Sequence, residues 1–76
     1  MFYALSFGRI VDRPWGKEEI GEYDWGDGPL GYRDYSDAKN KFEQGVKSGK
    51  YLWVSMSENN AYGFVRECAR WEKKEQ

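Results

Sequence analysis

The sequence predicts an α+β domain in which one helix packs on an antiparallel sheet of three to four strands, in the order β-β-α-β-β. Three observations predict it. Apolar residues recur at helical spacing between residues 36 and 50, the period then switches to two over residues 51–57, and residues 2–11 also alternate. Whether the sheet has three or four strands depends on the second, which is expected near Glu19–Asp24 and would pair with the first.

The helix and the strand after it organise the chain. Ala38, Phe42, Gly45 and Val46 fall at i, i+4, i+7 and i+8, forming one apolar stripe. Ser36 is expected to cap the first turn by accepting from a free backbone N–H, with Asp37 well placed against the dipole. Gly49 can adopt the left-handed conformation that ends a helix, and Lys47 and Lys50 suit its negative end. Past that stop, Leu52, Val54 and Met56 point one way, and Tyr51, Trp53, Ser55 and Ser57 the other.

The first strand, Phe2–Val11, sets Tyr3, Leu5, Phe7 and Val11 against Phe2, Ala4 and Ile10. Apolar groups on both faces imply a central strand, or one covered on both sides. Pro14 and Gly16 end it. Residues 15–34 contain five glycines and a proline, which rule out a stable helix. Trp15, Ile20, Tyr23, Trp25, Leu30 and Tyr32 make the segment too apolar for a solvated tail. Two readings of it stand: rings packed as cover for the core, or an aromatic and acidic recognition surface.

Glu58–Ala61 is expected to turn, since Asn tolerates the positive φ of a hairpin. Tyr62–Trp71 as a strand sets Tyr62, Phe64, Arg66, Cys68 and Arg70 on one face. A helix also fits, aligning Phe64, Val65, Cys68, Ala69 and Trp71 against Arg66, Glu67, Arg70, Lys73 and Lys74, and this alternative stays open from about Arg66 onward. The hairpin signal favours the strand, followed by a polar tail, Glu72–Gln76. With no internal repeat and no linker, residues 1–76 form a single domain.

A domain of this size buries only about 60% of the surface its unfolded chain exposes. Aromatic residues are 18% of the chain, more than so small a core needs, so some rings must be exposed. The lone Cys68 excludes an intrachain disulfide, and the start lacks the basic segment of a signal peptide. No stretch is apolar enough for a membrane span, and a cytoplasmic location is expected.

The absence of histidine excludes Ser–His and Cys–His nucleophile pairs and imidazole metal sites. Asp24 and Asp27 with Gly28 lack the alternating ligands of a calcium loop, and Gly26, Gly28 and Gly31 do not have phosphate-loop form. No catalytic residue, metal or cofactor is expected.

The net charge of −1 hides an uneven layout. Residues 17–37 carry two basic against seven acidic groups, whereas residues 38–50 carry a charge of +3. Rings and carboxylates thus share one segment, and Trp15, Glu18, Glu19, Glu22, Tyr23, Asp24, Trp25, Asp27, Tyr32 and Asp34 are the candidate partner-binding residues. The expected partner is a larger protein or ribonucleoprotein with a basic surface. The alternative is a small nucleic-acid-binding module using Tyr51, Trp53, Tyr62, Phe64, Arg66 and Arg70 on a sheet face. The acidic segment opposes a phosphate backbone, so no direct nucleic-acid contact is expected.

In its organisation the chain resembles small phage-encoded inhibitor proteins of the anti-CRISPR type. The resemblance rests on a compact acidic chain with a first strand, a helix Asp37–Ser48, and the Ser-Gly-Lys-Tyr51 stop leading into a hairpin, and covers roughly Tyr35 to Phe64. It implies a protein that inhibits by direct binding, occluding a nucleic-acid-binding surface with carboxylates where phosphates would sit. No residue carries over by motif, and the acidic segment is the candidate for that role.

Overall fold

Apolar side chains on both faces of the first strand put it in the interior of the sheet. In the computed structural model, which describes residues 1–74, β1 (Phe2–Arg13) lies between β2 (Gly16–Asp24) and β3 (Trp53–Asn60). Helix α1 (Tyr35–Ser48) connects β2 to β3, and β4 (Gly63–Glu72) completes a four-stranded sheet of order β2-β1-β3-β4. Every pairing is antiparallel. The expected α+β order β-β-α-β-β is therefore the observed one, with the second strand formed. No helix among the described residues is long and apolar enough to cross a membrane.

The helix lies over β1 and β3 and buries one sheet face. Leu5, Tyr32, Ala38 and Met56 form the central cluster, with Tyr3, Phe7, Phe42, Cys68 and Ala69 packed around it. Leu5, Val54 and Met56 are almost wholly enclosed, each contributing about 1.5–3 kcal/mol of apolar burial. Gly45 lets the helix approach Phe7 closely, and the Phe7 ring meets Tyr51 at a centroid distance of 4.7 Å.

The helix ends show one correction. Asp34, rather than Ser36, is the N-cap, and its carboxylate accepts from the Ser36 N–H at 2.8 Å. Aspartate accepts as readily as serine there, so the cap sits two residues earlier. Gly49 does end the helix, at φ 73°.

The segment expected to be mostly loop is mostly strand. β2 runs from Gly16, pairs with β1 through nine residue pairs, and leaves only residues 25–34 irregular. Its glycines at 16 and 21 exclude a helix but not extended backbone. The hairpin turn is Pro14–Trp15, between the paired Arg13 and Gly16.

The second hairpin is also shifted. β3 continues through Asn60, and the turn falls at Ala61–Tyr62 rather than at Glu58–Ala61. The Tyr62 N–H donates to the Asn60 side chain at 2.8 Å, so asparagine supports the turn from its first flank. β4 is a strand to Glu72, which removes the helical alternative from Arg66 onward. Its strict alternation is broken twice, with register shifts between Met56 and Ser57 and between Glu58 and Asn59. Phe64, Glu67 and Arg70 thereby oppose Asn59, Ser57 and Ser55 on one face, while Arg66 opposes Glu58 on the other. Tyr51 precedes β3 and packs at a tilt against Phe7, so it leaves the face on which Trp53 lies. Glu75 and Gln76, the end of the expected polar tail, lie outside the described residues.

Candidate functional site

The sheet face turned away from the helix carries a broad concavity. At the centre of that face lie Ala4 and Ser6 of β1 and Ser55 and Ser57 of β3, all small, with Gly8 of β1 beneath Trp53. Larger side chains rise around this floor to form a groove of about 460 Å3, with Tyr23 and Trp25 from the β2 side and Trp53 and Phe64 among its other lining residues. The volume lies in the range of about 300–1,000 Å3 found for ligand sites.

Trp53 owes its position to a glycine. A Cβ on Gly8 would fall 2.1 Å from the indole Nε1, so only glycine lets the ring lie across β1. From there Nε1 donates to Glu19 Oε1 at 3.2 Å. The Arg70 guanidinium stands 5.2 Å from the indole centroid, a cation–π distance. Arg70 is also held by Glu67 and Glu72, at 3.2 Å and 3.1 Å. Tyr23 and Trp25 stack on each other, their centroids 6.3 Å apart and their planes 22° apart. Tyr23 is 68% exposed, Trp25 47% and Phe64 69%, so these rings are not core cover.

Most polar side chains of the floor bond within the chain. Ser55 Oγ donates to Glu67 at 2.7 Å, Ser57 Oγ to the Ala4 carbonyl at 3.4 Å, and Asn59 Nδ2 to the Leu30 carbonyl at 3.1 Å. Among the described residues no buried side-chain polar atom lacks a partner. A ligand here meets ring faces and rim carboxylates rather than orphaned donors.

The predicted acidic and aromatic residues do not gather into one surface. Tyr23 and Trp25 line the groove and Glu19 reaches its Trp53, whereas Glu18 and Glu22 pair with Val11 and Phe7 on the opposite face of the sheet. There Glu18 binds Arg13 at 2.9 Å and Glu22 binds Arg9. Asp34 caps the helix, Asp27 is exposed in the loop, and Trp15 stands 78% exposed at the tip of the first hairpin. Five of the six candidate carboxylates, all but Asp27, thus have a role inside the chain.

Tyr32 belongs to the core. It is 8% exposed, and its backbone exchanges hydrogen bonds with Tyr3 at 2.8 Å and 2.6 Å, extending the ladder beyond the end of β2. Its hydroxyl donates to Asp24, which also accepts from the Gly26 N–H at 2.9 Å. Burial first, then this hydrogen bond and the charges of Asp24, Asp27 and Asp37, hold the phenol well above its usual value. Tyr32 and Asp24 therefore close the irregular loop and hold it against the sheet. Cys68, whose thiol burial pushes upward, donates to the Met56 carbonyl and packs beside the core.

Sequence reasoning missed the floor of the groove and Glu67. The floor had a signal, since small residues at 4, 6 and 8 and at 55 and 57 share a period of two. Glu67 had none, because the register shifts of β4 bring it to this face. Comparisons with known proteins add no relative: no family model, no curated protein and no solved structure matches the chain.

Proposed function

We propose that the chain is a small non-enzymatic binding protein whose open sheet face docks on a basic surface of a larger protein or ribonucleoprotein. One observation carries this reading: four aromatic rings surround a groove on the face that the single helix leaves uncovered. Exposed apolar patches of this kind mark interaction sites, and aromatic side chains are their usual anchors. Glu19, Glu67 and Glu72 border these rings and favour a partner of positive charge. If the partner uses that surface for nucleic acid, the bound chain excludes it, which is the inhibitory role the anti-CRISPR resemblance implies.

Direct nucleic-acid binding is the second reading, and it has Trp53, Phe64 and Arg70 on one face in its favour. Charge opposes it. Arg70 is matched by two carboxylates, so a phosphate backbone would meet net negative charge on this face.

Affinity capture from the source organism tests the proposal. The tagged chain is compared with a Tyr23→Ala/Trp25→Ala variant and a Glu18→Gln/Glu22→Gln variant, with thermal unfolding as the control for folding. A basic partner is expected to be retained by the second variant and lost by the first. Trp25→Ala alone is expected to cost about 2 kcal/mol or more, roughly 30-fold in affinity. Capture that ignores the ring substitutions refutes the proposal, as does oligonucleotide binding at physiological salt.

A further inference from the structure

We infer that the groove reads a guanidinium: its occupant is an extended, arginine-bearing segment of the partner protein, one arginine of which lies on the Tyr23–Trp25 ring pair. The inference rests on the docking proposed above and names what the partner presents.

The chain supplies its own precedent. On the same sheet face the Arg70 guanidinium sits 5.2 Å from the Trp53 centroid and is held by Glu67 and Glu72. A ring with flanking carboxylates thus already seats one guanidinium here. The negative face of an aromatic ring attracts a cation, and a planar guanidinium can also stack on it. Tyr23 and Trp25 offer a second ring platform across the groove, exposed and stacked nearly parallel. Among the described residues, Arg70 on Trp53 is the one cation–π contact, so the second platform carries no cation of this chain.

Charge selects among occupants. Glu67 and Arg70 line the groove, Glu72 binds Arg70, and Glu19 holds the indole of Trp53, leaving an excess of carboxylate on this face. Such a rim attracts arginine and repels phosphate. The uncharged floor of Ala4, Ser6, Ser55 and Ser57 has its hydroxyls at 55 and 57 engaged and that of Ser6 left to pair with an extended backbone, and it accepts the methylenes of the side chain.

The test titrates the full chain with short glycine–arginine peptides, following the indole and tyrosine signals by NMR. Parallel titrations use the same peptide with citrulline for arginine, which keeps the shape and removes the charge, and an oligothymidylate single strand. Saturable shifts at Tyr23 and Trp25 are expected with the arginine peptide. Citrulline is expected to weaken binding by about tenfold or more, and so are Trp25→Ala and Tyr23→Ala, whose folding is checked by thermal unfolding. Equal binding of the citrulline peptide overturns the inference. So does preferential binding of oligothymidylate, or the absence of saturable shifts at millimolar peptide. A native partner that needs the rings while the peptide does not bind sinks the guanidinium inference and leaves the docking proposal standing. Ring-dependent peptide binding with no ring-dependent partner in the capture experiment sinks the docking proposal, and with it the partner segment as occupant, while showing that the groove itself seats a guanidinium.

Discussion

Replacing Gly45 by alanine sets helix propensity against packing, and the structure decides the sign. Alanine in a helix interior is favoured over glycine by about 1 kcal/mol. At Gly45 the added Cβ would lie 2.7 Å from Phe7 Cε1, 3.2 Å from Phe7 Cδ1 and 3.4 Å from Val54 Cγ2. The Phe7 ring cannot simply swing away, because Tyr51 lies against it at 4.7 Å. Overpacking of this kind costs about 1–3 kcal/mol. The net expectation is a loss of about 1 kcal/mol, or about 4–8 °C in a domain this small. Chemical denaturation measures it, with Asn40→Ala on the exposed side of the helix as the propensity control and expected to stabilise slightly. Removing the ring edge should reverse the effect, so in a Phe7→Leu background Gly45→Ala is expected to become neutral or stabilising. That coupling of about 1–2 kcal/mol is the signature of direct contact. A gain of stability from Gly45→Ala alone refutes the close approach of helix and sheet.

Three further substitutions probe the loop, the surface and the groove. Tyr32→Phe is expected to cost about 1–2 kcal/mol at neutral pH, since the hydroxyl donates to the Asp24 carboxylate. The Tyr32 phenol is raised above its ordinary 10.0, so the unfolded chain releases this proton first. Its contribution is therefore complete below about pH 10 and is lost above it, and alkaline denaturation should be steeper for wild type than for Tyr32→Phe. Glu22→Gln removes an ion pair whose partners are 42% and 39% exposed, and equilibrium unfolding should show a change below about 1 kcal/mol. Gly8→Ala displaces the Trp53 indole, so the Trp53 Nε1–H resonance should lose its hydrogen-bonded shift.

Most of the architecture was legible because periodicity reports burial directly. The helix stripe at Ala38, Phe42, Gly45 and Val46 and the alternation of Leu5, Phe7, Val54 and Met56 answer to one covered sheet face. The second strand was less legible, since Gly16–Asp24 is an edge strand with mostly exposed side chains and no apolar alternation to report. Long-range pairing was illegible in single residues. Nothing local in Tyr32 says that its backbone pairs with Tyr3, and nothing in Arg9 that it meets Glu22 across the ladder. The acidic segment looked like one surface because its carboxylates are close in sequence. A strand sends neighbours to opposite faces, so Glu18 and Glu22 part from Glu19 and Tyr23. The split of its rings follows the same rule, with Tyr23 turned outward and Tyr32 drawn inward by the return of the loop to β1.

A two-layer domain with one helix cannot cover both faces of a four-stranded sheet, and among the described residues no further helix or sheet lies on the other side. Two solutions are open to such a face: polar side chains that leave it solvated, or apolar ones that require a partner. Here the floor is small and largely self-bonded, while Tyr23, Trp25, Trp53 and Phe64 stand around it. Rings used only to thicken a thin core would lie on the helix side, as Tyr3, Phe7 and Phe42 do. The outward set has instead been given a glycine beneath Trp53, a carboxylate at its indole N–H and an arginine beside its ring. Each of these holds Trp53 in place and adds little to the core, so their purpose is the face itself. That asymmetry favours the open face, rather than the acidic segment, as the docking surface in the function proposed above.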